Sequence, residues 1–384
     1  MSSPEKSDVL IIGGGVIGLS LARSLHKVGV GRITIVERGK CGMEASWAAG
    51  GMLAPHAETE KLDPFYRLCS ASCGLYPDLA AELLDETGID IELDRSGTLY
   101  LALTENDLRS LLARYEWQRS AGLEVELLSA EDTCKLEPFV SPEVRGSLFF
   151  PGDWQVENRK LVSALRRYAE LNGIDIIEDT PVIRMIFEGE TAIGTVTAKG
   201  LLHAGSVVLA TGAWTSLIKL GPDTVSPGVR PIKGQMVAYS TAKRLFQHVI
   251  YSPRGYLVPR ADGRILAGAT VEDVGFDTGT TDPGINFLRE VAREISPSLG
   301  GLEISDNWAG LRPYANNGLP LIGRSPGVEN LFVATGHYRN GILLAPITAK
   351  ILAGEITGNA RSEFTGIFSP GRPIASAPRS ATAS

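Results

Sequence analysis

Gly13, Gly15 and Gly18 recur as G-x-G-x-x-G directly after the apolar run Val9-Leu-Ile-Ile12. Glycines in that pattern act through the backbone. The first permits a tight turn, the second lets main chain approach a pyrophosphate, and the third allows a helix to pack closely on a strand. The helix that follows presents unpaired N–H groups and a positive dipole end to an anion. Glu37 closes the next apolar run, Ile33-Thr-Ile-Val36, about 20 residues on, where a carboxylate accepts hydrogen bonds from ribose hydroxyls. A ligand-free glycine turn is the bland alternative. The flanking strand and helix pattern, with the acid at that place, weighs against it.

The pattern does not choose between a nicotinamide and a flavin dinucleotide, but three further segments favour FAD. The small-residue run Glu44-Ala-Ser-Trp-Ala-Ala-Gly-Gly-Met-Leu53 follows the second strand and lets backbone lie along an extended cofactor. Val207-Val-Leu-Ala-Thr-Gly-Ala-Trp214 is a late apolar strand that returns to the cofactor. Leu331-Phe-Val-Ala-Thr-Gly-His-Tyr-Arg-Asn-Gly-Ile342 ends a strand and opens a helix whose N-terminus suits negative charge on a reduced flavin. The candidate cofactor-contacting residues are Gly13, Gly15, Val16, Ile17, Gly18, Glu37, Arg38, Ser46, Ala48, Ala49, Gly50, Met52, Val182, Ala210, Thr211, Gly212, Trp214, His337, Arg339, Asn340, Gly341 and Ile342.

These segments need a βαβ start near the N-terminus, with Leu19 to Lys27 as its helix. Amphipathic helices are predicted over 104–121 and 157–172, short strands near 174–178, 191–197 and 206–210, a β-rich stretch over 231–266, and helices near 286–295 and from 342. The fold class is α/β: a discontinuous Rossmann-like FAD-binding domain (1–85, 151–222 and 309–364) plus an antiparallel, sheet-rich substrate domain (86–150 and 223–308). Residues 369–384, rich in Ser, Ala, Pro and Arg, read as a disordered tail.

With 384 residues, 43% hydrophobic and 21% charged, the chain can build a large core. A net charge of −7 argues against nucleic acid as partner. The four cysteines form no C-x-x-C pair and the five histidines show no metal-ligand spacing. Cys69 and Cys73, one helical turn apart, read as buried thiols on one face. Neither a signal peptide nor an apolar run long enough for a membrane span is evident, so the cytoplasm is the expected location.

The chain resembles the D-amino-acid oxidase superfamily of flavoproteins, and within it the glycine oxidases, over about residues 7–360. The resemblance rests on Ala48-Ala-Gly-Gly-Met-Leu-Ala-Pro-His56, Val229-Arg-Pro-Ile-Lys-Gly-Gln-Met236, the run from Tyr256 to Thr270, Trp308-Ala-Gly-Leu-Arg-Pro313 and the run from Gly336 to Pro346. It implies that Arg312 clamps a substrate carboxylate, a task suited to the guanidinium fork. It implies that Tyr256 adds a hydrogen bond and that Arg339 lies near flavin or substrate. Arg254 stands where glycine oxidases often carry His, and Val271 where Met is familiar, so pocket size and charge depart from that pattern. No cysteine near Arg312 matches the covalent flavin tether of sarcosine oxidases, so FAD is expected to bind non-covalently.

The reaction so implied is oxidation of glycine, or of another small amine such as sarcosine or D-alanine. Molecular oxygen is the acceptor. Products are the 2-oxo acid, ammonia and hydrogen peroxide, with the imine a source for thiazole synthesis in thiamine biosynthesis. Positioning carries most of the catalysis, and no side-chain base is assigned; His337 reads as structural. Homotetramers are expected from the resemblance. A D-amino-acid dehydrogenase, a sarcosine-type oxidase, a flavin sensor without turnover and a nicotinamide dehydrogenase remain open.

Overall fold

The computed structural model describes residues 6–220, 227–359 and 362–372. Two eight-stranded sheets organise it. In the first, Ser7–Ile12 lies between Ile33–Val36 and Gly200–Leu209, both parallel to it. Leu331–Thr335 and Asp175–Ile177 extend this parallel core on either side. The central strands read as unbroken apolar runs because both faces are covered, one by helices and the other by antiparallel strands. An antiparallel meander, Val182–Glu188 and Thr191–Thr197, leads into Gly200–Leu209.

Helix Val16–Lys27 packs on helix Gly341–Thr357 over this sheet, and both are lined by buried Leu and Ile. Each such side chain contributes roughly 1.5–3 kcal/mol by leaving water. Pro346 sits inside the second helix and removes the N–H that would pair with Ile342. The hydroxyl of the fully buried Tyr76 replaces it, donating to the Ile342 carbonyl at 2.5 Å.

The second sheet runs in the order Ile304–Ala315, Val229–Ser240, Arg264–Gly268, Gly255–Pro259, Val249–Ser252, Thr98–Ala102, Gly146–Phe150 and Glu126–Ser129. It is antiparallel except where Val249–Ser252 meets Thr98–Ala102. Helix Asp282–Ile295 covers one face with Leu288, Val291, Ala292 and Ile295, one helical side. The strand Ile304–Ala315 pairs with Val229–Ser240 along nearly its whole length, so it crosses the boundary expected at 308/309.

Buried Arg260 ties the second sheet to the 44–53 run and to the start of helix Asn158–Leu171. Its guanidinium donates to the carbonyls of Gly50 and Val156 and to the side chains of Gln155 and Asn158. All four acceptors are neutral, and burial lowers its pKa to about 10.

Several elements match the sequence reading closely, including Thr191–Thr197 and helix Asn158–Leu171. Helix Pro64–Cys73 was not predicted, although Asp63 caps it by accepting from the Tyr66 N–H at 2.9 Å and Pro64 opens it. Cys69 and Cys73 are buried on it as thiols. Of the expected tail, residues 373–384 lie outside the described residues. Ser369 to Arg372 are ordered against the body, where Arg372 donates to the carbonyls of Pro320 and Leu319.

Candidate active site

A cavity of about 430 Å³ lies between the sheets. Its floor at one end is the glycine turn. Gly13 has φ +111°, and a Cβ there would sit 2.3 Å from the Ala210 carbonyl oxygen. A Cβ on Gly18 would sit 2.0 Å from the Gly13 carbonyl oxygen, so Gly18 shapes the turn without lining the cavity. Gly15 meets only Ser46 Oγ and stays open. Val16 N donates to that hydroxyl at 3.0 Å. The Glu37 carboxylate accepts from Gly14 N at 2.8 Å and Gly39 N at 2.9 Å, which fixes it at the strand end.

The 44–53 run lies along the cavity and is held from both sides. Asn158 Nδ2 donates to the Ser46 and Trp47 carbonyls, and Trp308 Nε1 donates to the Ala48 carbonyl at 3.0 Å. Thr211, Gly212 and Trp214 face it from the third parallel strand's end. Arg38 stacks on Trp214 with its Cζ 3.8 Å from the ring centroid, bridging the outer end.

At the other end, Arg312 reaches from the strand Ile304–Ala315 across the neighbouring strand. A Cβ on Gly234 would lie 2.2 Å from both terminal nitrogens, so the guanidinium lies flat over that glycine. Its Nη1 donates to the carbonyls of Thr270 at 3.1 Å and Lys233 at 3.4 Å. No carboxylate lies within ion-pair distance of Arg312 or Arg339 among the described residues. Burial lowers the Arg312 pKa, the expected cost of an enclosed cation without a counter-ion. Tyr256 lies over Gly268 in the same manner, where a Cβ would be 2.7 Å from its ring and hydroxyl. Burial raises its phenol, keeping it a donor.

His337 is buried with Nε2 3.0 Å from Thr348 Oγ1, and burial depresses its imidazole to about 3. It is therefore neutral. All four predicted substrate-side residues and every predicted cofactor residue except Gly18 line this one cavity. Arg254 does so at the rim, paired with Glu294 and stacked on Phe287; Val271 is not among the lining residues. Sequence reasoning missed Glu58, Tyr251, Met236 and Tyr338. Behind the cavity wall, Glu272 accepts from Thr270 Oγ1 at 2.5 Å and Gln235 Nε2 at 2.7 Å and pairs with buried Lys233. Those bonds pin the segment that backs Arg312.

The family model described as FAD dependent oxidoreductase matches residues 8–355. The chain belongs to this family. The glycine oxidase of Pseudomonas aeruginosa is 35% identical over 351 residues, covering 91% of this chain and 94% of that one. The bifunctional protein ThiO/ThiG of Synechocystis is 37% identical over 372 residues, 95% of this chain and 54% of that one. The crystal structure of glycine oxidase from Geobacillus kaustophilus superimposes with a TM-score of 0.90 at 34% identity, covering 96% of this chain and all of that one.

Membership makes the protein an FAD-dependent oxidoreductase, and its residues fit that cofactor. Gly13 makes a turn that a Cβ would block at the Ala210 carbonyl, Gly15 leaves open space where a pyrophosphate would approach, and two helix N-termini, at Val16 and Gly341, open onto the same cavity. Among the described residues no group of side chains could hold a metal ion, and no helix is long and apolar enough to cross a membrane.

Proposed function

We propose that this enzyme oxidises glycine and other small amino acids with a primary or secondary amine, releasing ammonia or the corresponding amine. The observation that carries this reading is Arg312: a cation enclosed by protein, open to the cavity, and without a carboxylate partner among the described residues. A substrate carboxylate supplies the missing counter-charge through two parallel hydrogen bonds. Tyr256 adds a third donor, and Arg339 contributes positive potential from the final loop. Gly50, Met52 and Met236 leave a small, apolar space beside these groups, which favours small side chains.

Bound FAD, held by the glycine turn, Glu37 and the 44–53 run, would supply the acceptor for a hydride from the substrate Cα and a route for the electrons to molecular oxygen, giving hydrogen peroxide. The protein's own contribution is orientation. Arg312 and Tyr256 hold one end of the substrate, so the Cα hydrogen presents a single direction to the cofactor cradle. Such positioning supplies about 7–11 kcal/mol in favourable cases. The Glu37 carboxylate and the glycine turn hold the adenosine and pyrophosphate parts, without a covalent tether. Family resemblance further supports a cytoplasmic homotetramer whose imine product feeds thiazole synthesis for thiamine. Segments 1–85, 151–222 and about 316–364 form the cofactor domain in this reading, with the second sheet as the substrate domain.

The test is the visible flavin spectrum of the purified protein, recorded without oxygen before and after adding glycine. Bleaching that air reverses, with peroxide release, is expected. Intact FAD that neither glycine, sarcosine nor D-alanine bleaches would refute the reading. Bleaching that a quinone reverses and oxygen does not would point to a dehydrogenase.

A further inference from the structure

The cavity has a second pole. Tyr251 and Tyr256 are direct cross-strand partners on Val249–Ser252 and Gly255–Pro259, with ring centroids 5.6 Å apart. Tyr256 lies on the side of Arg312. Tyr251 points its hydroxyl to Glu58 instead, donating to Oε1 at 2.8 Å, while Met52 Sδ lies 3.1 Å from the same hydroxyl. Glu58 lines the same cavity, with its side chain accessible. Two adjacent tyrosines thus carry a cation on one side and a carboxylate on the other. An amino-acid zwitterion carries the complementary pair, with its two charged groups on a single carbon.

We propose that Glu58, oriented by Tyr251, binds the substrate ammonium and accepts its proton before the Cα–H bond breaks. This deepens the reading of Arg312 and rests on it. Hydride loss from Cα needs a nitrogen lone pair, and an ammonium has none. In the step, one N–H bond breaks and one O–H bond forms on Glu58. Ammonium plus carboxylate become amine plus carboxylic acid, so charge and atoms balance without a further reactant. Tyr251 is a positioning residue: its phenol is held protonated by burial and can only donate to the carboxylate.

The groups facing Glu58 suit this role. Arg339 comes from the final loop, Arg114 from helix Glu105–Ser120, Asp153 from the turn before Trp154, and Tyr100 and Tyr256 from the second sheet. Desolvation raises the Glu58 carboxyl, partly offset by Arg339 and by the Tyr251 hydrogen bond. Raising a carboxyl brings it closer to the basicity of an amine and makes it a better proton acceptor. Arg114 donates its hydrogen bonds to the carbonyls of His56, Ala57 and Thr59 rather than to Glu58, and its charge lowers the Glu58 carboxyl only from a distance.

The experiment is anaerobic reduction of FAD-loaded wild type, Glu58→Gln and Tyr251→Phe by glycine in single-turnover mode across pH. Acetate, which has a carboxylate and no amine, is titrated in parallel by its effect on the flavin spectrum. In Glu58→Gln the rate at neutral pH should fall by roughly 100-fold or more. It should then climb about tenfold per pH unit toward the ammonium pKa of free glycine, as solution deprotonation takes over. Acetate affinity should stay within about twofold. Tyr251→Phe should shift the acid limb of the wild-type profile with a smaller loss of rate. Wild-type rate and pH profile in Glu58→Gln would overturn the proposal. If that variant loses FAD, an unshifted acid limb in Tyr251→Phe overturns it as well. Failure of glycine, sarcosine and D-alanine to reduce the wild type would sink the functional reading itself, and this inference with it.

Discussion

Replacing Arg312 by Met should separate function from stability in opposite directions. In the free protein the guanidinium rests on the carbonyls of Thr270 and Lys233 and has no anionic partner among the described residues. A bound carboxylate adds two charge-assisted hydrogen bonds, each worth about 1.5–3 kcal/mol. Losing both removes about 3–6 kcal/mol of transition-state binding, or roughly two to four orders of magnitude in kcat/KM. Stability should move the other way. A buried ion without its partner is costly, and an apolar residue of similar volume is commonly neutral or up to about 4 kcal/mol better. The Lys233 carbonyl keeps the Glu272 N–H at 2.9 Å after the change, while the Thr270 carbonyl loses a donor, worth about 1 kcal/mol. The net expectation is an unfolding temperature equal to or above wild type. Anaerobic glycine titration and thermal unfolding of the FAD-loaded protein measure the two quantities. A variant that still binds glycine like wild type, or one that unfolds several kcal/mol more easily, would show that Arg312 is a structural bolt.

Gly234→Ala should cost activity much as Arg312→Met does while FAD stays bound, because the new methyl group would occupy the guanidinium's place; flavin absorbance and glycine reduction read the two separately. Tyr76→Phe should cost about 1–3 kcal/mol in denaturant unfolding, since it strips the Ile342 carbonyl of its donor. Adding Pro346→Ala should recover part of that loss by restoring a helical N–H. His337 binds its proton near pH 6.5 when unfolded and near 3 when folded, so the unfolded chain takes up more protons between those values. Its contribution is complete above pH 6.5 and is lost as the pH falls toward 3. His337→Gln should therefore lose less stability than wild type between pH 7 and pH 5, by about 2 kcal/mol. Equal slopes in urea titrations would exclude that effect.

What could be read from the sequence was what depends on neighbours in the chain. The glycine turn, the strand before it and Glu37 after it form one local βαβ unit, and the Ile33–Val36 strand announces itself by its apolar run. Arg312 could be named only because its surrounding motif resembles a family. Nothing local distinguishes it from a surface arginine. Glu58 was illegible for the opposite reason: its meaning lies in Tyr251, a partner 193 positions away in the chain, met where the turn after Met52–Leu53 folds against the second sheet. Helix Pro64–Cys73 was legible and overlooked, since Asp63 followed by Pro64 is a helix-start signal. Nothing near Glu272 in the chain announces its role, because its partners Lys233 and Gln235 sit on the strand Val229–Ser240.

One feature of the motifs has a spatial cause that no pattern of polarity reveals. The segments Ile-Lys-Gly-Gln, Leu-Ala-Gly-Ala-Thr and Trp-Ala-Gly-Leu-Arg each place a glycine in a strand, Gly234 and Gly310 in the interior and Gly268 at the end, where glycine normally weakens the sheet. Gly268 is the direct cross-strand partner of Tyr256, and Gly234 stands two residues from the partner of Arg312. Gly310, opposite Gly234, leaves room for Ala48, whose Cβ would lie 2.5 Å from a new one. Side chains normally stand away from a sheet. At these places the neighbouring strand has no side chain, so Arg312 and Tyr256 can lie flat and aim along the sheet, while the 44–53 run presses close from above. The glycines therefore set where the charges are, and the substrate volume is what remains between Gly234, Gly268 and the cofactor loop. Any residue larger than glycine at 234 or 268 must move a functional group before it disturbs the core, which is why these substitutions should damage turnover more than folding.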